Sequence, residues 1–121
     1  MLSRIIQGDS MLFYDGDTLI LTVKETDTEN GVLMQFSGSL RSDTAYHIQD
    51  ELDAYTSIAV PVTLDLAEVT FLAPSVLAAL LESQQLIDFF RQGRILLRNI
   101  PDAVYREMDE TGISELLMIE E

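Results

Sequence analysis

Asp65-Leu66-Ala67-Glu68-Val69-Thr70-Phe71-Leu72-Ala73-Pro74-Ser75-Val76-Leu77 is the stretch on which the fold turns. The segment feeding it, Ala59 to Leu66, is largely apolar, with Pro61 near its start, where a missing N–H donor is tolerated best; a buried strand is predicted there. Pro74 suits the first position of a helix, because it has no N–H to leave unsatisfied and its φ is already helical. Val76 to Leu81 is apolar nearly all round, so the first half of that helix must be buried. The helical pattern runs on to Arg91, and Gly93 just beyond suits a C-terminal stop. A buried strand leading straight into a buried helix is half of a β–α–β crossover, the unit of parallel sheets.

Downstream, Arg94 to Arg98 encloses Ile95-Leu96-Leu97, a short strand. Pro101 opens a third helix that runs to Thr111 with Gly112 as its C′ residue, and Glu115 to Ile119 reads as a last strand. Upstream, Ala45, Ile48, Leu52 and Tyr55 recur at the three- and four-residue steps of one helix face, with Asp43, His47 and Asp50 on the other. Ser42 or Asp43 supplies the short oxygen-bearing side chain that caps such a helix. Further upstream, Thr18 to Glu25 and Val32 to Phe36 form an antiparallel hairpin. The polar segment Thr26 to Gly31 between them predicts a loop longer than two residues. Met11 to Tyr14 is a short apolar run closed by Asp15-Gly16-Asp17. The order hairpin, helix, strand, helix, strand, helix, strand implies right-handed crossovers and an α/β fold with a mixed β-sheet and helices packed against it. Residues 18–121 make the domain, and residues 1–17 an N-terminal extension with room for an extra strand.

A chain of 121 residues fits one domain, and 47% hydrophobic with 23% charged residues excludes general disorder. Seven Lys and Arg against twenty-one Asp and Glu give a net charge of −14. Such a surface repels phosphate backbones and anionic lipids, so no nucleic-acid partner is expected. With no cysteine, disulfides, thiolate metal sites and cysteine nucleophiles are excluded. The longest near-apolar run, Phe71 to Leu81, is interrupted by Pro74 and Ser75 and falls short of the roughly 20 residues that span a bilayer. No membrane insertion is expected. Met1 to Ser10 lacks a basic stretch followed by a long apolar core, which leaves a cytoplasmic location as the expectation.

Reactive side chains are few. His47 is the only histidine, and Asp43 and Glu51 lie four residues to either side, a spacing that places an imidazole and two carboxylates near one helix face and invites a metal. A solvated acidic face is the plainer account, since a metal site needs a further ligand from elsewhere. Glu25, Asp27 and Glu29 alternate like a calcium loop, yet Asn30 and Phe36 stand where that loop needs Gly and Glu. Arg91, Arg94 and Arg98 form the only basic cluster and serve best to offset the chain's own carboxylates. There is no Gly-rich phosphate loop and no Gly-x-Ser-x-Gly elbow. No catalytic residue, cofactor or resident metal is therefore predicted. Ser75 sits near a helix N-terminus, where free N–H groups and the helix dipole accommodate a phosphate; a purely local hydrogen bond is the simpler role.

Four segments resemble the STAS domain of bacterial anti-sigma-factor antagonists: Gly38-Ser39-Leu40-Arg41-Ser42-Asp43-Thr44-Ala45, Leu64-Asp65-Leu66, Thr70 to Leu77, and Ala103-Val104 to Thr111-Gly112-Ile113. The resemblance covers Thr18 to Ile119 in order and near the usual spacings. It implies a mixed sheet with helices against it, in agreement with the periodicity. In phosphorylated members the strand-to-helix turn reads Asp-Ser-Ser/Thr-Gly-Leu, and a partner kinase modifies the first hydroxyl. Here Ala73 replaces the Asp, Pro74 the phosphoacceptor and Val76 the Gly, while Ser75 keeps the second hydroxyl and is the one candidate phosphorylation site. The family's Gly-Glu-Leu-Asp becomes Gly38-Ser39-Leu40-Arg41.

The resemblance thus implies a non-enzymatic docking module without phosphorylation at the usual position, binding its partner through Arg41, Ser42, Asp43, Ala73, Pro74 and Ser75. The partner it implies is an anti-sigma factor or serine kinase; the alternative is the ATPase of a lipid-transporting ABC system, to which stand-alone STAS subunits attach. A metal site at His47 is the reading from another class. Many relatives continue into a final helix beyond the point where this chain stops, and the uncovered apolar surface this implies raises the expectation of a homodimer.

Overall fold

The computed structural model describes residues 1–90, 95–112, 117 and 119, with the backbone alone given for 86–90. Six strands form one sheet in sequential order: β1 (Leu2–Gln7), β2 (Ser10–Asp15), β3 (Thr18–Thr28), β4 (Gly31–Leu40), β5 (Val62–Leu72) and β6 (Ile95–Arg98). The first four pair antiparallel, and β4, β5 and β6 pair parallel. A 3₁₀ turn (Ser42–Thr44) and α1 (Ala45–Thr56) join β4 to β5, and α2 (Pro74–Phe90) joins β5 to β6. After β6 comes α3 (Asp102–Glu110), and Ile119 makes a parallel bridge to Leu97.

Each helical connection steps one strand further in the same direction, and right-handed crossovers then place all three helices on one face of the sheet. The side chains agree: Val32, Val62 and Ile95 lie in one register row, Met34, Leu64 and Leu97 in the next, and all six are buried. Ile48 and Leu52 of α1, Val76 and Leu80 of α2, and Val104 and Met108 of α3 close the core from above. The α/β architecture with a mixed sheet is therefore as the periodicities predicted.

Several boundaries differ from the sequence expectation. The β3–β4 hairpin has a two-residue loop, Glu29-Asn30, because Thr26, Asp27 and Thr28 continue the ladder opposite Leu33, Val32 and Gly31. Polar composition had marked them as loop, yet ladder hydrogen bonds come from the backbone, and Thr is at home in strands. The N-terminal extension holds two strands, and β2 is part of the core: Phe13 is fully buried. Neither Ser42 nor Asp43 caps α1 through its side chain; Thr44 precedes the helix, and its hydroxyl donates instead to the Arg41 carbonyl at 2.6 Å. Pro74 opens α2 as expected, and α3 ends at Glu110 with Gly112 in the left-handed region beyond it. Arg91, Gly93 and Arg94 lie outside the described residues, as do Glu115, Leu116 and Met118 of the expected last strand.

Gly38 is placed at the second register shift of the β4–β5 ladder. It sits at φ +113°, and a Cβ there would collide with the Ile20 carbonyl oxygen across the β3–β4 pair. Gly38→Ala is expected to cost about 2–4 kcal/mol, from an unfavourable φ plus overpacking against backbone that cannot retreat. Ser39→Ala, the next residue, should stay within about 0.5 kcal/mol of wild type. Urea unfolding of both variants checks the difference.

Candidate docking site

Because β4 and β5 are parallel, their C-terminal ends open onto the same edge of the sheet, where ligands of α/β folds gather. Leu40 and Leu72 lie side by side as the last paired residues, and the Ala73 N–H donates to the Leu40 carbonyl at 2.9 Å. That bond fastens the β4–α1 loop to the β5–α2 turn. It brings Arg41, Ser42 and Asp43 beside Pro74 and Ser75, although some thirty residues separate the two groups in the chain.

Ser42, Asp43, Pro74 and Ser75 are exposed and Arg41 is half-buried. Ala73 departs from the expectation of a contact residue. Its side chain is 2% exposed, and its carbonyl accepts the N–H groups of Val76 and Leu77 at 3.0 and 3.2 Å, so it shapes the start of α2 from beneath. A small residue is needed there because the turn lies directly on the Leu40 backbone. Among the described residues the Ser75 hydroxyl has no hydrogen-bond partner, so the local bond considered for it is not formed.

Arg41 spans the site. Its Nε and Nη2 donate to the two oxygens of Asp43 at 3.2 and 2.5 Å, and Nη1 donates to Asp15 at 3.0 Å. Asp15, at the end of β2, also accepts from the Met1 ammonium at 2.9 Å. The ammonium and Arg41 together hold the Asp15 carboxyl below the ordinary carboxylate range, and the bonds to Asp43 and then Asp15 raise the Arg41 guanidinium further. The cation thus orders the loop through the chain's own acids. Sequence spacing gave no sign of Asp15, since the contact crosses 26 residues and depends on the β2–β3–β4 register.

Phe71 was also missed. It lies opposite Ser39 on the helix-free face of the sheet, at the rim of the same surface, and is 47% exposed. The only hint was negative: Val69 and Leu72 are buried, and their separation by three residues breaks strand alternation and leaves Phe71 out of phase with the core.

The metal grouping around His47 does not assemble. The imidazole is half-buried against Phe13, with ring centroids 5.4 Å apart, while Asp43 is engaged by Arg41 and Glu51 faces Glu25. Among the described residues no three His, Asp or Glu side chains gather as metal ligands. Arg98 lies 3.8 Å from Asp65, whose other oxygen accepts the Ala67 N–H at 3.0 Å. No helix among the described residues is long and apolar enough to cross a membrane.

Glu51 and Asp53, on opposite sides of α1, are both raised by partial burial. Burial, and then the charge of Glu25, pushes the Glu51 carboxyl above its ordinary value. Burial likewise raises Asp53, which accepts from the Ser83 hydroxyl at 3.4 Å, and lifts the Tyr55 phenol to about 12 with help from its hydrogen bond to Glu25.

A one-layer mixed sheet with helices on one face, whose two strand-to-helix junctions meet at a single exposed surface, is the fold of the STAS class. The chain belongs to the STAS-domain family: the family described as "Mlab, STAS domain" matches residues 23–120. Solved structures share the fold at low identity. An anti-sigma factor antagonist from Mycobacterium paratuberculosis is 20% identical over 82% of this chain and 84% of its own, with a TM-score of 0.67. The Bacillus cell fate determinant SpoIIAA in its phosphorylated form is 12% identical over 82% and 91%, with a TM-score of 0.62. A sulfate transporter family protein from Wolinella succinogenes is 19% identical over 76% and 75%, with a TM-score of 0.57. No curated protein matches the chain in sequence at a significant level.

The raised acids on α1 make a pH prediction. A carboxyl whose folded pKa lies above its unfolded value contributes stability that is fully present below the unfolded pKa and is lost as pH rises through the folded one. Glu51→Gln removes that loss. It should raise the melting temperature at pH 7 by a few degrees, on the order of 0.5 kcal/mol after solvent screening, and change it little near pH 4. Thermal unfolding across that range tests the sign.

Proposed function

We propose that this chain is a non-enzymatic, cytoplasmic docking protein that binds a protein partner through the surface formed by Arg41, Ser42, Asp43, Pro74 and Ser75, with Phe71 at its rim. One observation carries the reading: the Ala73–Leu40 bond merges two loops into an exposed surface. By the family resemblance, Pro74 falls where phosphorylated members carry their acceptor hydroxyl. Proline has nothing to phosphorylate, so binding is set by the surface itself and not by a phosphate at that position. The partner class the fold neighbours favour is an anti-sigma factor, since antagonists of anti-sigma factors share the fold; the serine kinase rests on the sequence resemblance alone. A net charge of −14 further favours a partner with a basic patch.

A second reading has its own support. The likeness to a sulfate transporter family protein favours docking on a transporter, and by the family resemblance the ATPase of a lipid-transporting ABC system is the component to which stand-alone STAS subunits attach.

Affinity capture of the tagged chain at moderate salt, followed by identification of the bound proteins, separates the two readings. With the partner in hand, Ser75→Glu and Phe71→Ala are expected to weaken binding about tenfold or more each, as truncation or charging of a central contact does. Affinity should also fall as salt rises. Stoichiometric phosphate on Ser75 after incubation with the partner and ATP would overturn the unswitched mechanism.

A further inference from the structure

β1 leaves one edge of the sheet open. It pairs with β2 from Leu2 opposite Asp15 to Gln7 opposite Ser10, and among the described residues no strand lies on its other side. At the other end of the sheet β6 takes the bridge from Ile119. Gln7 and Ser10 close a two-residue turn, and the closing pair of such a turn exchanges its hydrogen bonds across the hairpin. Counting back by twos, Ile5 and Ser3 also bond toward β2, and the Gly16 N–H to Met1 carbonyl bond at 3.4 Å keeps the same parity. Leu2, Arg4 and Ile6 therefore turn their N–H and C=O groups outward. Among the described residues no backbone bond from elsewhere in the chain reaches them.

The side chains of this edge are as unguarded as its backbone. Ile5 and Ile6 are 47% and 65% exposed, on opposite faces. Natural edges are protected by charges, prolines or bulges, and here Arg4 is the sole charge on the strand. In a chain with twenty-one Asp and Glu, none falls between Leu2 and Gln7.

We propose that β1 pairs antiparallel with β1 of a second copy of this chain, about a two-fold axis centred on Ile5, so that the two sheets become one. The charges select this occupant. Most of a −14 surface repels its own copy, and β1 is where that repulsion is least, whereas a basic extended peptide finds no carboxylate on the strand and meets Arg4. Geometry selects the register. Opposed residues must share a face, so the axis passes through a residue, and an axis on Arg4 would set two guanidinium groups directly opposite. Centred on Ile5, Arg4 faces the partner's Ile6, Ser3 faces the partner's Gln7, and Ile5 faces its own copy. Arg4 and Ile6 then exchange the outward hydrogen bonds. Ile5 forms the non-hydrogen-bonded pair between them, with Cα atoms about 4.5 Å apart. One strand pair buries less than the roughly 1,200 Å² at which standard interfaces begin, so the dimer is concentration-dependent, and screening of like net charges strengthens it in salt.

The native chain has no cysteine, so single-cysteine variants report the register directly. Under mild oxidation Ile5→Cys is expected to form a disulfide-linked dimer about tenfold faster than Arg4→Cys, because only the Ile5 pair falls within the roughly 4.4–6.8 Å that a disulfide accepts between Cα atoms. Ile6→Pro removes an outward N–H and leaves the β1–β2 ladder whole. It should give a monomer by light scattering with a melting temperature near that of dilute wild type. A wild-type mass of 13.6 kDa at the highest soluble concentration in high salt overturns the proposal. A dimer that survives Ile6→Pro and is not trapped by Ile5→Cys overturns it equally, and faster trapping by Arg4→Cys overturns the register. The docking surface takes no part in these measurements, so its failure and that of the β1 pairing are separate results.

Discussion

The parallel ladder between β4 and β5 is the constraint on which everything else in the molecule rests. Between the paired ends Val32–Val62 and Leu40–Leu72, β5 has two residues more than β4, absorbed at two register shifts. Near the first, Asp65 is buried and accepts the Ala67 N–H, which satisfies a donor that the interrupted ladder leaves over. The second falls beside Gly38, where the absence of a Cβ lets β4 approach β3. Without those shifts Leu40 and Leu72 would not end level, the Ala73 N–H would have no carbonyl to meet, and the two loops of the proposed docking surface would lie apart. The site is therefore a product of strand irregularity deep in the sheet, and its loop residues inherit their positions from it.

Charge is used sparingly for the same end. A chain with seven cationic side chains spends Arg41 on two of its own acids and sets Arg98 near a third, each time tying a loop or a bulge to a neighbouring strand. These pairs are partly exposed and contribute geometry more than stability. The outcome is a surface that stays strongly negative while the one guanidinium in the docking loop is held in a fixed place. On the proposed reading, a partner would meet a loop whose Asp43 is already oriented by Arg41, so less side-chain freedom would be lost on binding.

How far the fold could be read from the sequence follows from what each signal depends on. Elements set by local physics were legible: Pro74 opening α2, Gly112 beyond α3, and the stripe of Ile48 and Leu52 on α1. The segment Thr26–Thr28 was misread because backbone pairing is indifferent to polarity once a neighbouring strand is in register. β1 was nearly invisible, since a strand exposed on both faces has no alternation to show. Of the proposed docking surface, the family resemblance points to Arg41, Ser42, Asp43, Pro74 and Ser75, and the structure brings these five residues together. Ala73 was assigned to the surface when its small side chain serves the packing beneath it. Asp15 and Phe71 depend on long-range register and a bulge, neither of which leaves a periodic trace.

The N-terminal hairpin shows how an added pair of strands changes a sheet. The family match begins at residue 23, inside β3, so β1 and β2 lie outside it. β2 is nonetheless built into the core, with Met11 and Phe13 buried and His47 of α1 resting on the Phe13 ring. It covers the edge of β3 and sends Asp15 to anchor Arg41. A hairpin, however, brings its second strand along, and that strand has no core left to join. Covering one edge of an open sheet in this way creates another, with its backbone groups aimed outward and isoleucines on both faces. The strand that completes the interior and the strand that faces outward are thus two consequences of one hairpin, joined by a two-residue turn.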